Sequence, residues 1–306
     1  MSKLAIKRNV CGIGKEIYRK RVSYLMMAPY LVVFFLFVIW PVLYSLGMSF
    51  TSFNVFGDPK WIFADNYVKL LFKDDLFLTA MQNTILFAVI TGPVGYILCL
   101  FFAWLVNELE GPMRAIMTTV LYAPSIAGNA FVIWRIFFDG DVYGYLNSLL
   151  LQTGFVDEPI QWLTDPTYMM TIVIIVQLWM SLGTSFLTLR AGFNTIDRTY
   201  YEAAAMDGIR NRWQELWFIT LPMMAPHLML SAVLSITGAF GSGIVAAMLC
   251  GTPSTNYATY LMIHHLQEYA TVRYQRGYAS AIATVLFLIC IVCNALAKKF
   301  LGKVGK

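Results

Sequence analysis

Few residues in this 306-residue chain have types and spacing that could do chemistry. Cys290 and Cys293 form a CxxC, the spacing of a redox dithiol or of half a zinc site, but no histidine or second CxxC accompanies them. They lie in an apolar run, where cysteines act as small hydrophobic residues. His264 and His265 are adjacent but have no clear third ligand. Gly12-Ile-Gly-Lys15 lacks the spacing and the Ser/Thr of a phosphate-binding loop. No Ser-His-Asp or His-Glu set falls on neighbouring helical faces. What remains are hydroxyls and amides. Gln177, Ser181 and Thr184 recur at i, i+4 and i+7, on one helical face. Ser231, Ser235 and Ser242, with Gly238, form another. Such faces could line a path for a polar cargo, and they could equally pack helices together. Asn83, Tyr122 and Trp179 are weaker candidates for the same path.

The elements that carry these residues follow from composition. Hydrophobic residues make up 58% and charged residues 13%, with a mean hydropathy of +0.64. Soluble domains are about 25% charged, so an ordinary soluble enzyme is excluded. Aromatics reach 15%, as suits rings anchored at membrane interfaces. Uncharged runs predict an all-α polytopic membrane protein with six spans, at about 25–46, 83–106, 114–138, 168–189, 223–249 and 277–297. A short amphipathic helix is expected at 66–72. The apolar run near the start is too long for a signal peptide and lacks a cleavage site, so it reads as a retained first span.

Charge placement orients the spans. Basic residues cluster at both ends: seven in the first 24 positions, and Lys298, Lys299, Lys303 and Lys306 at the close. With both termini inside, 16 of the 22 basic residues are cytoplasmic and 6 are not, which favours this orientation over its reverse. The division expected is a cytoplasmic basic tail at 1–24, a six-helix membrane domain at 25–300 and a tail at 301–306. The basic ends do not interleave with aromatics in a nucleic-acid pattern, so no nucleic-acid partner is expected; membrane lipid is. No Asp, Glu or Lys lies within a proposed span, against an ion-coupled carrier and in favour of a neutral or weakly polar cargo. With no ion relay and no nucleotide site, such a transporter draws energy from a partner or is a passive pore.

The most informative stretch is the charged connection 190–221; from within it into the next span, 197–226 reads DRTYYEAAAMDGIRNRWQELWFITLPMMAP. Residues 199–206 are good helix formers. Gly208 stands where a helix ends in the left-handed conformation. Asn211 offers an N-cap, and Gln214 could complete a capping box. Helix, glycine turn and helix make a knob whose Tyr200, Tyr201, Trp213, Trp217 and Phe218 are costly to leave in water. The segment resembles the EAA loop of permease subunits of binding-protein-dependent ABC importers, through Glu202, Ala203, Ala204, Gly208, Ile219, Leu221 and Pro222. Asn66-Tyr-Val-Lys-Leu70, Trp179-Met-Ser-Leu-Gly183 and Gly277-Tyr-Ala-Ser-Ala281 resemble the carbohydrate-uptake, maltose-type branch. Cys250-Gly-Thr-Pro253 replaces that branch's Gly-Gly-Gly-Pro.

This resemblance implies a type I ABC importer permease fold in a bacterial cytoplasmic membrane. It implies that Glu202, Ala203, Ala204, Asp207 and Gly208 couple to an ATPase, and that Gln177, Ser181, Thr184, Ser235, Gly238 and Ser242 face the cargo path. The implied partners are a second permease, two ATP-binding subunits and an extracellular solute-binding protein. ATP and magnesium would be held by the ATPase, with no cofactor, metal or catalysis in this chain. A sugar or oligosaccharide is the expected cargo. Glycerol phosphate or another polar solute, a self-sufficient carrier or channel, and an intramembrane enzyme are the rivals.

Overall fold

The structure, a computed structural model, describes residues 19–301. Most of the expected basic tail, including Cys11 and Gly12–Lys15, and the last five residues lie outside the described residues. The helices in chain order are α1 (Arg21–Met48), α2 (Asp65–Phe72), α3 (Asp75–Glu108), α4 (Gly111–Ile126), α5 (Val132–Phe137), α6 (Tyr145–Gln152), α7 (Pro166–Met180), α8 (Thr184–Asn194), α9 (Arg198–Met206), α10 (212–223), α11 (Ala225–Gly241), α12 (Ile244–Cys250), α13 (262–272) and α14 (Arg276–Leu301). Among the described residues the only strand-like pairing is one bridge, Thr51 to Trp61.

The centre of the bundle is α3. At 34 residues it is about 51 Å long, well over the roughly 30 Å of a hydrocarbon core. It runs through the packing of both halves. Towards its C-terminus, Cys99, Ala103 and Val106 meet Phe186, Leu189 and Phe193 of α8 and Met224 and Leu228 at the base of α11. Nearer the other end, Phe87 joins Val173 and Val176 of α7 and Val245 and Leu249 of α12. Cys290 and Cys293 of α14 pack near Ala88, Ala239 and Phe240, as small apolar side chains. In contrast, α1 buries none of its helical residues; its last part, 40–48, lies along α14.

Five helical runs are long and apolar enough to cross a membrane: Arg21–Met48, Asp75–Glu108, Pro166–Asn194, Ala225–Cys250 and Arg276–Lys299. The structure differs from the expectation at the third run, 114–138. It is not one helix but two, of 16 and 6 residues, separated at 127–131. Pro124 lies in the last turn before the interruption, where it withholds an N–H from the helical ladder. The fourth and fifth runs are also interrupted, at 181–183 and at 242–243.

At the end of the bundle away from α9, the span ends are gathered by a polar cluster. Asp74 caps α3 by accepting from the Phe77 N–H at 3.0 Å. Its second oxygen accepts from the Tyr278 hydroxyl at 2.7 Å and from His265 Nε2 at 3.1 Å. Tyr260 donates to Glu268, which pairs with Arg273. The Lys69 ammonium lies 4.7 Å from the Tyr278 ring centroid. Burial alone would raise the Asp74 carboxyl, but the hydrogen bonds from Tyr278 and Phe77 and the His265 imidazole hold it below the usual carboxylate range. Burial pushes His265 down by more than Asp74 lifts it. It also pushes His264 down, against the Gly243 carbonyl.

Both histidines therefore fold in their neutral form. Below the ordinary imidazole value of about 6.5, the unfolded chain binds more protons than the folded one. Stability is thus intact above that value and is lost as pH falls through and below it. The thermal midpoint of the solubilised protein should drop between about pH 7.5 and about pH 5.5, and replacing both histidines with glutamine should flatten most of that drop. Scanning fluorimetry across this range checks it; Asp74 contributes only at lower pH, where its carboxyl titrates.

Candidate functional site

The three interruptions surround one cavity of about 300 Å³. Thr91 and Gly95 of α3 form one wall, and Tyr122 and Ser125 flank it from the end of α4. Gln177, Ser181, Gly183 and Thr184 come from the break between α7 and α8; Ser235, Gly238 and Ser242 come from α11 and the break that follows it. All six residues expected on the cargo path, Gln177, Ser181, Thr184, Ser235, Gly238 and Ser242, thus line the same cavity. None of its lining residues is charged.

The polar groups are partly engaged with each other. Ser242 Oγ donates to Gln177 Oε1 at 2.9 Å. Ser235 Oγ donates to Ser185 Oγ at 3.0 Å. Ser181 Oγ turns back to the Leu178 carbonyl at 2.6 Å, one of the carbonyls exposed where α7 stops. Gly183 begins α8 with no side-chain cap. A cavity so lined offers hydroxyl and amide hydrogen bonds and no fixed charge. Ser231 belongs elsewhere. It is fully buried and donates to the Ser185 carbonyl at 3.2 Å, which is helix packing.

Asn83 donates to the Tyr257 and Tyr260 carbonyls at 2.9 and 3.1 Å, and so fastens the 255–260 loop to α3. Trp179 stacks edge-on with Trp134, 5.5 Å between centroids. Neither lines this cavity. Tyr122 does, as do Thr91, Gly95 and Ser125, which sequence reasoning left out. The available signal was the pair of prolines: Pro93 between Thr91 and Gly95, and Pro124 between Tyr122 and Ser125. A larger cavity, about 780 Å³, lies at the end away from α9, between the 139–164 connection and α12; it is lined by Arg135, Asp139 and Asp141 and by residues 247–251.

Residues 190–194 of the expected connection continue α8; beyond them the expected helix, glycine turn and helix form. Asp197 caps α9 through the Thr199 N–H at 3.0 Å. At the other end Gly208 has φ +91°, a conformation open to glycine. The Ile209 N–H reaches the Ala204 carbonyl at 3.0 Å and the Gly208 N–H reaches Ala205 at 3.3 Å, the paired bonds of a Schellman cap. Asn211 caps α10 through the Trp213 N–H at 3.0 Å. Gln214 binds the Arg210 N–H rather than that of Asn211, so the expected capping box is displaced by one residue. The knob is held to α3 by Trp213 against Trp104, 4.7 Å between centroids, and by Arg212 near Glu108 at 3.5 Å. Ala204 is buried, whereas Glu202, Ala203, Asp207 and Gly208 are exposed. Glu202 lies 3.8 Å from Arg198. Tyr200, Trp217 and Phe218 remain uncovered.

Residues 95–306 match the family model described as the binding-protein-dependent transport system inner membrane component. The chain belongs to this family. Among its relatives, the probable ABC transporter permease protein YesP of Bacillus subtilis is 32% identical, over 87% of this chain and 86% of that one. The lactose transport system permease protein LacF of Rhizobium radiobacter is 29% identical, over 90% and 91%. The sn-glycerol-3-phosphate permease UgpA of Agrobacterium fabrum is 27% identical, over 93% and 96%. A crystallised bacterial ABC transporter for the acidic polysaccharide alginate superposes with a TM-score of 0.75 at 23% identity, covering 96% of this chain and 99% of that one, which establishes the same fold. A bacterial alginate ABC transporter in complex with a periplasmic protein carrying an alginate pentasaccharide superposes with a TM-score of 0.76 at 22% identity, covering 95% of this chain and 98% of that one. The chain is thus an ABC importer permease, a membrane protein whose role is transport.

The packing and cavity serines of this permease should respond differently to substitution. Ser231→Leu overfills the contact between α8 and α11 and should cost about 1–3 kcal/mol, lowering the thermal midpoint. A side chain at Gly238 meets nothing within 4 Å, so Gly238→Ser should change stability by no more than about 0.5 kcal/mol. Thermal unfolding of the two purified variants checks the contrast.

Proposed function

We propose that this permease carries a neutral sugar or oligosaccharide, and that the cavity at the three helix breaks is its share of the path. The observation that carries this reading is the lining: hydroxyls, one amide and one phenol, with no charge. An anionic cargo such as glycerol phosphate favours Arg or Lys at the contact surface, and this cavity supplies neither. The cavity is small, and a second permease subunit would complete the path.

In this reading both termini and α9 are cytoplasmic, the loop cluster around Asp141 and Thr255 faces outside, and the membrane is the bacterial cytoplasmic membrane. Two ATP-binding subunits hold ATP and magnesium and dock on the knob, and an extracellular binding protein delivers the cargo. The exposed Glu202, Ala203, Asp207 and Gly208 and the underlying Ala204 form the docking element. The small alanines allow close approach, and the Schellman cap fixes where α9 ends. Glu202 can exchange its weak, solvent-screened contact with Arg198 for a cation on the ATPase.

The test uses the assembled transporter in liposomes. Its ATP turnover should rise with binding protein loaded with a neutral oligosaccharide, and not with sn-glycerol 3-phosphate. Stimulation by the phosphate ester alone would overturn the neutral-cargo reading. Gly208→Val strains a left-handed position by about 1–3 kcal/mol, and Glu202→Lys reverses a charge. Both should abolish transport while membrane levels stay normal, as measured by uptake, immunoblot and co-purified ATPase. Normal uptake by both variants would reduce the knob to a connector.

A further inference from the structure

Between α11 and α12 the chain is extended at Ser242 (φ −88°, ψ 119°) and then re-enters a helix at Gly243. The break interrupts the helical ladder between α11 and α12. The carbonyl at the start of α12 takes a second bond, from a different element. His264 Nε2 donates to the Gly243 carbonyl at 2.9 Å; that carbonyl also accepts the Ala247 N–H, the first bond of α12, at 3.0 Å. His264 Nδ1 accepts the Leu261 N–H at 3.1 Å, which sets the tautomer with the proton on Nε2. The imidazole is 4% exposed. Gly243 is also the residue this contact requires. A Cβ there would stand 2.8 Å from His264 Nε2 and would collide with Ile263 Cγ2.

The support behind His264 does not belong to α11 or α12. The start of α13 is fixed to α3: the Met262 N–H donates to Thr84 Oγ1 at 2.8 Å, and His265 reaches Asp74. His264 is therefore a strut between the rigid α3 side of the bundle and the break. The residue next to its point of contact is Ser242, which donates to Gln177 in the cavity.

We infer that His264 is a positioning residue for the cargo cavity: it holds the break at Gly243 and thereby sets how position 242 is presented to the cavity. It touches no cargo and acts through Gly243. The inference rests on the reading of this cavity as the cargo path.

The experiment uses the assembled transporter in nanodiscs, with the native cysteines replaced and a single cysteine at Ser242→Cys or Ser235→Cys. The probe is 2-aminoethyl methanethiosulfonate, and the readout is the labelling rate. His264→Leu fills the ring's place without the donor. It should change the rate at position 242 by about fivefold, the shift in population that loss of one hydrogen bond produces. The rate at position 235, farther from the break along α11, should hold within about twofold by the same reasoning. His264→Gln, whose amide can both donate and accept, should restore the rate at position 242. Unchanged labelling at 242 in His264→Leu overturns the inference. Equal changes at 242 and 235 also overturn it, because they report general loosening of the bundle. If neither position labels in any background, the cavity is not an open path, and the cargo reading fails together with the inference built on it.

Discussion

Backbone polar groups cannot be left unpaired in hydrocarbon, so irregular chain at membrane depth survives only where it is buried in protein or faces a cavity. Three of this permease's apolar runs break within the bundle, at 127–131, 181–183 and 242–243, and the residues flanking the breaks line one cavity. The arrangement depends on satisfying the freed groups locally. The Gly183 N–H turns to the Ser181 carbonyl at 2.7 Å, and the Gly128 N–H to the Ile126 carbonyl at 2.8 Å. The Cys99 thiol approaches the Ser181 carbonyl at 3.5 Å, and His264 adds a second bond to the Gly243 carbonyl that opens α12. Half-helices ending around this cavity present backbone and small polar side chains to it, with no charged residue in its lining.

That arrangement needs a fixed reference, and α3 supplies it. Its near end is capped by Asp74 within the polar cluster, its middle carries Thr91 and Gly95 to the cavity wall, and its far end receives the knob through Trp104 and Glu108. The cavity and the α9–α10 knob are thus attached to one continuous helix. The polar cluster at the opposite end is dense and aromatic, with Lys69 and Arg273 set over tyrosine rings, and holds α3, α13 and α14 together.

The serines show how similar residues come to differ. Ser231 and Ser235 share a face of α11, one turn apart. Ser231 meets the Ser185 backbone where α8 and α11 touch, and it is sealed. Ser235 meets the Ser185 side chain and is half-open to the cavity. Periodicity finds the face; packing decides which residues on it are reachable.

Composition and periodicity determined the class of the protein, because about 20 consecutive apolar residues have few other uses. The knob was equally legible. Its caps at Asp197 and Asn211 and its left-handed Gly208 are local interactions, closed within a few residues of chain, and they formed as the residues dictate. The six cavity residues singled out were legible as two helical faces, though not as one site. What the sequence could not convey were the breaks. An uncharged run such as 114–138 looks the same to a hydropathy window whether or not it is continuous, and Pro124 and Pro93 carry the same letter although one precedes an interruption and the other lies inside unbroken α3. His264 likewise looked like half of an incomplete metal site. Its partner, Gly243, is 21 residues away, and only the packing of α13 against α3 brings the imidazole to that carbonyl. Tertiary structure decided these points because each depends on groups far apart in the chain satisfying one another where water cannot.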